Sequence, residues 1–411
     1  MGFVPGPVWA ESTEKPISLD DLEDQELKAD ALEDLNVNPL QQRLSGKAYD
    51  DPALQTQITG YAVTSYKYND SGVGHHDIGN EMHFGQSSAE TNDFAFDVIA
   101  FGFTRRFSDW AWVNASVEVG LHNGHDGVET EVGLDQGDIN LMAPIGNGLV
   151  FTLGKINSPV SFEPEDAPFL LQTTQSLAYQ FASPVKMTGA MVTYPLGLNL
   201  EVRGMVFNGW QDTGDNNDGT SGLFQIGYAP YYWLNTKWSY LWGPETSGND
   251  HDARQVLDFV ATITPFKDWL IGMELAYGWD NNLSTVNPGQ DAKWWAGQAT
   301  VHHDFTRWFA TTVRYSFFDD RGGRPDLHDS QKRTMQEITF APIFHLSPDF
   351  MGYMGMGMIP QSQHLVSAID LRFEYRRDWV DEEGPGSFFE DEKGNPTDFR
   401  NAFFVELVAR F

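Results

Sequence analysis

The sequence predicts an all-β fold: a transmembrane antiparallel up-and-down β-barrel of about sixteen strands, with fourteen and eighteen as alternatives. Three observations predict it. Strand-length segments alternate apolar and polar side chains many times along residues 55–411. The connections between them alternate short and long. The abundant aromatics, 29 Phe, 14 Tyr and 13 Trp, collect near strand ends.

Taken in order, Met1–Ala10 reads as the remnant of a signal peptide, with Val8 and Ala10 where a signal peptidase reads small residues. Residues 11–54 form an acidic N-terminal arm; ten acids between Glu11 and Val37 face only Lys15 and Lys28. It reads as a mobile or short-helical periplasmic arm without chemistry of its own.

From residue 55 the pattern changes to strands. Trp112–His122 places Val113, Ala115, Val117, Val119 and Leu121 against Asn114, Ser116, Glu118 and His122. Leu198–Val206, Tyr232–Trp242, Leu257–Ile263, Trp269–Trp279, Phe309–Phe317 and Leu365–Tyr375 repeat it. In Asn401–Phe411, Phe403, Val405, Leu407, Ala409 and Phe411 oppose Glu406 and Arg410. Period-two alternation gives each strand one apolar and one polar face. The segments near 55–68 and 131–143 carry the pattern most weakly, and Ser347–Gln363, with Met351, Met354, Met356 and Met358, reads as an oversized turn or an extra strand.

Connection lengths decide between a barrel and a soluble sandwich. Tight links near 108–109, 145–148, 195–196, 230, 266–268 and 306–307 alternate with long polar ones. The long ones lie near 70–92, 123–130, 157–184, 209–221, 244–253, 280–292, 319–332 and 378–399. Short periplasmic turns and long extracellular loops are the expected asymmetry of an outer-membrane barrel. Three tight turns repeat one pattern, Phe107-Ser-Asp-Trp110, Phe266-Lys-Asp-Trp269 and Phe305-Thr-Arg-Trp308. With Trp238, Trp242, Trp279 and Phe411 these tryptophans form the expected interfacial girdle.

Composition excludes several classes. The chain has no cysteine, which rules out disulfides, thiol catalysis and covalently attached c-type haem. A formal charge of -32 argues against nucleic acid, whose phosphates need clustered Lys and Arg. No cofactor is expected. No metal site is expected either: His75–His76 and His302–His303 are adjacent pairs that point to opposite strand faces. Asp212–Gly219 lacks the starting acid and closing Glu of a calcium loop. Ser116 and His122 lie too far apart along one strand to form a catalytic pair, so the chain does not read as an enzyme.

On the polar strand faces stand eight acids, Glu118, Glu201, Asp258, Glu274, Glu337, Asp370, Glu374 and Glu406, against six bases, Arg203, Lys237, Arg314, Arg372, Arg376 and Arg410. A barrel of this size encloses water, so these residues are expected to line a lumen. Their near balance predicts a weak cation preference.

Gly154-Lys-Ile-Asn-Ser-Pro159, Phe162-Glu-Pro-Glu-Asp166 and Val206-Phe-Asn-Gly-Trp210 resemble motifs of the Gram-negative outer-membrane β-barrel porins, in the group named "putative beta-barrel porin". Leu371–Arg376 resembles its penultimate strand. The resemblance implies the cell outer membrane and a channel through which small hydrophilic solutes or ions diffuse. Its implied partners are outer-membrane lipid and lipopolysaccharide, the barrel-insertion machinery that reads a terminal aromatic, and the other members of a homotrimer. It also implies a third loop, about 158–185, folded into the lumen. Glu163, Glu165 and Asp166 on that loop, opposite Arg203, Arg314, Arg372 and Arg376, are then expected to form the constriction. Two alternatives stay open: a barrel sheath around a periplasmic multihaem cytochrome, and a secreted soluble β protein.

Overall fold

A computed structural model describes residues 56–73, 92–124, 127–197, 199–210, 217–325, 332–346, 368–383, 389–391 and 395–411. Among these residues, sixteen antiparallel strands close into one barrel. The strands are β1 (Thr56–Asn69), β2 (Asn92–Ser108), β3 (Ala111–Gly124), β4 (Gly127–Ala143), β5 (Leu149–Asn157) and β6 (Lys186–Gly197). There follow β7 (Leu200–Phe207), β8 (Ser221–Tyr231), β9 (Leu234–Pro244), β10 (Ala253–Ile263) and β11 (Trp269–Asp280). The last five are β12 (Ala292–Thr306), β13 (Phe309–Asp320), β14 (Lys332–His345), β15 (Ala368–Glu383) and β16 (Phe399–Arg410).

Each strand pairs with its neighbours in sequence, and β1 pairs with β16 to close the ring. The seam runs from Tyr61 opposite Arg410 to Asn69 opposite Ala402. Beyond it the Phe411 amide and carbonyl exchange hydrogen bonds with Gly60 at 2.9 and 2.8 Å. The Phe411 ring lies over Gly60, where any β-carbon would stand 2.5 Å from it, and meets Phe101 edge-on at 5.9 Å. Glycine is therefore required at position 60 for the terminal ring to seat.

Alternation sorts the two faces as expected. In β16, Glu406 is buried on the inside while Phe403 is 49% exposed on the outside. In β13, Arg314 and Ser316 are fully buried whereas Val313 and Tyr315 face outward. An outer belt of exposed Phe, Leu, Val and Trp with a polar interior inverts the arrangement of a soluble protein and suits a lipid surround. The three repeated turns carry exposed Phe107 and Trp110, Phe266 and Trp269, Phe305 and Trp308, all at the short-turn end. Trp242 lies near the opposite rim and Trp238 four residues into β9, tilted on Phe259 within the apolar belt.

The structure corrects two expected loops. The connection at 123–130 is not long: β3 continues to Gly124, β4 begins at Gly127, and these residues are register partners. The one at 378–399 is shortened because β15 continues to Glu383. Within it Phe389–Asp391 pairs with Pro396–Thr397 and with Ser71–Val73 as a small separate sheet. Register slips mark β-bulges, including one between Ser116 and Val117 that sets two β4 residues opposite one position. Asp135 and Gln136 are consequently both buried.

Met1–Ala10, residues 11–54, His75–His76, the core of the Asp212–Gly219 loop and the Met351–Met358 run lie outside the described residues. His302 and His303 do point to opposite faces. His302 Nδ1 meets Thr312 Oγ1 inside, and His303 stacks on Trp269 outside.

Candidate functional site in the lumen

The connection between β5 and β6 folds into the barrel. Its residues 158–185 contain a 3₁₀ turn, Ala167–Phe169, and one helix, α1 (Leu177–Ala182), capped by Ser176 Oγ accepting from Tyr179 N at 3.0 Å. Pro168 supplies the fixed φ that starts the turn. The loop is packed like a protein core, with Ala167, Thr173, Ser176, Ala178, Ala182 and Ser183 fully buried.

Polar groups from the wall bind its main chain along its whole course. Near β9, Lys237 Nζ donates to Ser161 O at 2.7 Å and Pro159 O at 3.2 Å, and Gln225 of β8 also donates to Pro159 O. Glu274 of β11 accepts from Phe162 N at 2.9 Å, from Ser161 and Ser183 Oγ, and from Gln298 Nε2. Glu374 of β15 accepts from Thr173 N at 2.7 Å and Thr174 N at 3.0 Å. Arg314 of β13 reaches Thr174 O at 2.5 Å, Arg376 reaches Gln175 O at 2.7 Å, and Arg372 reaches Ala167 O at 2.8 Å. Buried peptide groups need such partners, and most here are charge-assisted.

The structure brings together part of the expected constriction. Arg314 joins Glu163 of the loop at 2.8 Å and Glu337 of the wall at 2.5 Å. Arg376 pairs with Glu337 and Asp378, and Arg372 with Glu406 at 3.0 Å. Arg203 pairs with Glu201 and Gln225 on the wall. Arg410 and His345 hold Asp370. Asp258 is buried on β10 among Val256, Val260 and Ser239. These bases are matched by neighbouring carboxylates of wall and loop, because a charge removed from bulk water must find a partner.

Glu165 and Asp166 instead join a second acidic group near β1, β3 and β4. Carboxylate oxygens of Glu118, Asp135 and Asp166 lie within 4.8 Å of one another. Tyr61 Oη donates to Glu118 at 2.6 Å and more weakly to Asp166 at 3.4 Å. Lys186 forms ion pairs with Asp135 and Glu165. Burial and the neighbouring Asp135 push the Asp166 carboxyl up to about 6, against the pull of Lys186. Burial also raises Glu165 well above its ordinary range.

Asp135 and Lys186 were not legible as site residues. The bulge hides the inward turn of Asp135 from a strict alternation count, and Lys186 occupies an outward parity at the first residue of β6. The residues that dock the loop, Phe162, Thr173 and Thr174, carry no chemical signature of their own. Further round the wall, Thr104, Asn114, Asp138, Asn140 and Thr152 bond side chain to side chain across β2–β5.

Toward the long-loop end the lumen is apolar. Leu177, Ala178, Phe181 and Ala182 of α1 join inward-facing Met205, Phe207, Leu223, Leu241, Val256, Trp294, Phe318 and Met335 in one cluster. Phe181 packs on Phe318 at 5.0 Å.

A closed barrel of this strand number with an inward third loop defines a porin-type outer-membrane channel. Residues 56–411 match the family described as "Putative beta-barrel porin-2, OmpL-like", and the chain belongs to that family. The outer-membrane channel DcaP of Acinetobacter baumannii superposes with a TM-score of 0.54 at 12% identity, covering 87% of this chain and 97% of that one. An anion-selective porin from Comamonas acidovorans gives 0.56 at 9% identity, with 87% and 99% covered. The trimer form of OmpT from Vibrio cholerae gives 0.54 at 10%, with 87% and 99% covered. No curated protein sequence matches the chain.

Proposed function

We propose that this chain carries small hydrophilic solutes or ions passively across the outer membrane, with a weak preference for cations. The observation that supports this most is the charge distribution around the third loop. The bases on β13 and β15 are matched by Glu163, Glu337, Asp378 and Glu406. The edge of the loop near β1, β3 and β4 instead gathers four acids, Glu118, Asp135, Glu165 and Asp166, around Lys186. A passage opened along that edge would attract cations and disfavour anions. Glu163 with Arg314, Arg372 and Arg376 holds the loop at the narrowest level, where Glu165 and Asp166 face the acids of the opposite wall, with Arg203 on the adjoining wall. Glu118, Glu201, Lys237, Asp258, Glu274, Asp370, Glu374, Glu406 and Arg410 line the bore.

Assembly as a homotrimer is part of this proposal, since one of the structural neighbours is a trimer. The alternative of a sheath around a partner cytochrome needs a free bore, and residues 158–185 occupy it from β8 to β15. The test is a reversal potential in planar bilayers under a KCl gradient. A modest cation-favouring potential that shrinks in Glu118→Gln with Asp135→Asn supports the proposal. A chloride-favouring potential in the wild-type protein sinks it.

A further inference from the structure

We infer that the third loop is a displaceable plug, seated in this structure across the bore, and that conduction requires it to leave that seat. The inference rests on the channel reading and goes beyond it, because a loop that merely narrows a pore keeps one flank in water. In residues 158–185 the half-exposed positions, Phe162, Glu165, Asp166 and Leu171 among them, are scattered, and the rest are buried. The segment is addressed from β8, β9, β11, β13 and β15, and Ala167 packs on Val63, Val98 and Val408 at the far wall.

The grip is built on one side. Glu274 and Glu374 accept main-chain amides of Phe162, Thr173 and Thr174, while Arg314, Arg372 and Arg376 donate to main-chain carbonyls of Thr174, Ala167 and Gln175. A steric seat accompanies it. The Phe162 ring lies directly over Gly272 of β11, where a β-carbon would stand 1.9 Å from the ring. Above this, α1 fills the apolar end of the lumen against Trp294, Phe318 and Met335.

The opposite edge is built differently. There, Glu165 and Asp166 of the loop face Glu118 and Asp135 of the wall, so like charges meet across the seam with Lys186 among them. Only Tyr61 and Lys186 offset the crowded acids there, so the loop is gripped firmly along one flank and more weakly along the other, and packed interfaces of this kind switch between discrete arrangements.

The full-length protein tests this directly. Gly272→Val evicts the Phe162 ring, and Glu374→Gln weakens the amide grip without adding bulk. Both should raise single-channel conductance severalfold over wild type. Because the chain has no cysteine, Ala178→Cys with Ser316→Cys introduces one defined pair at a site where Ala178 N lies 3.2 Å from Ser316 Oγ. Oxidised in the Glu374→Gln background, that pair should hold the conductance at the wild-type level, and a reductant should release it.

A second readout does not depend on conduction: a maleimide probe on Thr173→Cys, buried in the seated loop, should react many-fold faster in the released variants. Large wild-type conductance that the cross-link leaves unchanged would overturn the plug. So would equal labelling rates in wild type and released variants. Faster labelling without conductance in any variant would keep the displaceable loop and refute the channel reading instead.

Discussion

Arg314→Met is the most informative single change in the lumen wall. The guanidinium is fully buried and donates to Glu337, Glu163, Thr174 O and Thr174 Oγ1. Methionine fills similar volume but strands Glu163, whose remaining partners are Gln172 Nε2 at 2.6 Å and Ser176 N at 2.8 Å. Glu337 keeps Arg376 at 2.7 Å, so only one of the two acids loses its main countercharge. Removing one member of a buried ion pair costs about 3–5 kcal/mol, and the neutral bonds left to Glu163 place the expected loss near ~3 kcal/mol. Adding Glu163→Gln removes the stranded charge and should recover about 1–2 kcal/mol, inside the coupling range of roughly 0.5–3 kcal/mol for contacting residues. The assay is reversible urea unfolding of refolded protein in detergent micelles, followed by tryptophan fluorescence, for both single variants and the double. A loss below about 1 kcal/mol for Arg314→Met, or a double variant no better than the single, would refute the assignment of this pair as a buried latch.

Acid should tighten the loop: a carboxyl raised to about 6 when docked binds a proton more readily there than in free solution, so the docked form gains as pH falls through 6 toward 4. The Thr173→Cys labelling rate, divided by that of a free thiol at the same pH, should therefore fall over that window, and this ratio should become flat once Asp166→Asn is added; an equally steep fall of the ratio in that variant would contradict the assignment. Phe411→Ala, which empties the space over Gly60 and beside Phe101, should lower the midpoint of thermal unfolding and slow refolding into lipid vesicles, checked by heat-modifiable gel migration. Gly60→Val should reproduce that defect from the other side of the contact. Substituting Trp269 and Trp308 with Ala should weaken insertion into vesicles more than Trp294→Phe, because the first two are exposed at the rim and Trp294 is buried inside.

The barrel was legible because alternation, loop parity and terminal strand chemistry are local properties. Glu406, Arg372 and Glu374 could be placed inside by counting residues along one strand. What residues 158–185 do could not be read that way. Glu374 looks like any lumen acid until Thr173 and Thr174, 200 residues away in sequence, deliver their amides to it. Charge balance over the whole polar face anticipated a matched interior but not the local sorting. Arg314 and Arg376 find acids beside them on β14 and β15, which leaves Asp166 to crowd Glu118 and Asp135 on the other side, with Glu165 on Lys186. One bulge concealed Asp135, since a single extra residue reverses the parity of everything counted past it. The turn motifs were legible for the opposite reason, because Phe266 and Trp269 meet the same interface whatever the rest of the chain does.

The β1–β16 seam has a kinetic meaning. Tyr61 and Arg410 are partners about 350 residues apart, whereas Ser108 and Ala111 meet across a turn. Bringing ends together over that span costs roughly 3 kcal/mol more in chain entropy than closing a fifteen-residue hairpin. Contacts so distant form late, after the fourteen intervening strands have zipped neighbour to neighbour. Until then two strand edges, with all their amides and carbonyls, lie open to any other sheet. The gap between Thr56–Asn69 and Phe399–Arg410 is thus the last edge to be covered, and its closing is the step that commits the polypeptide to a single ring.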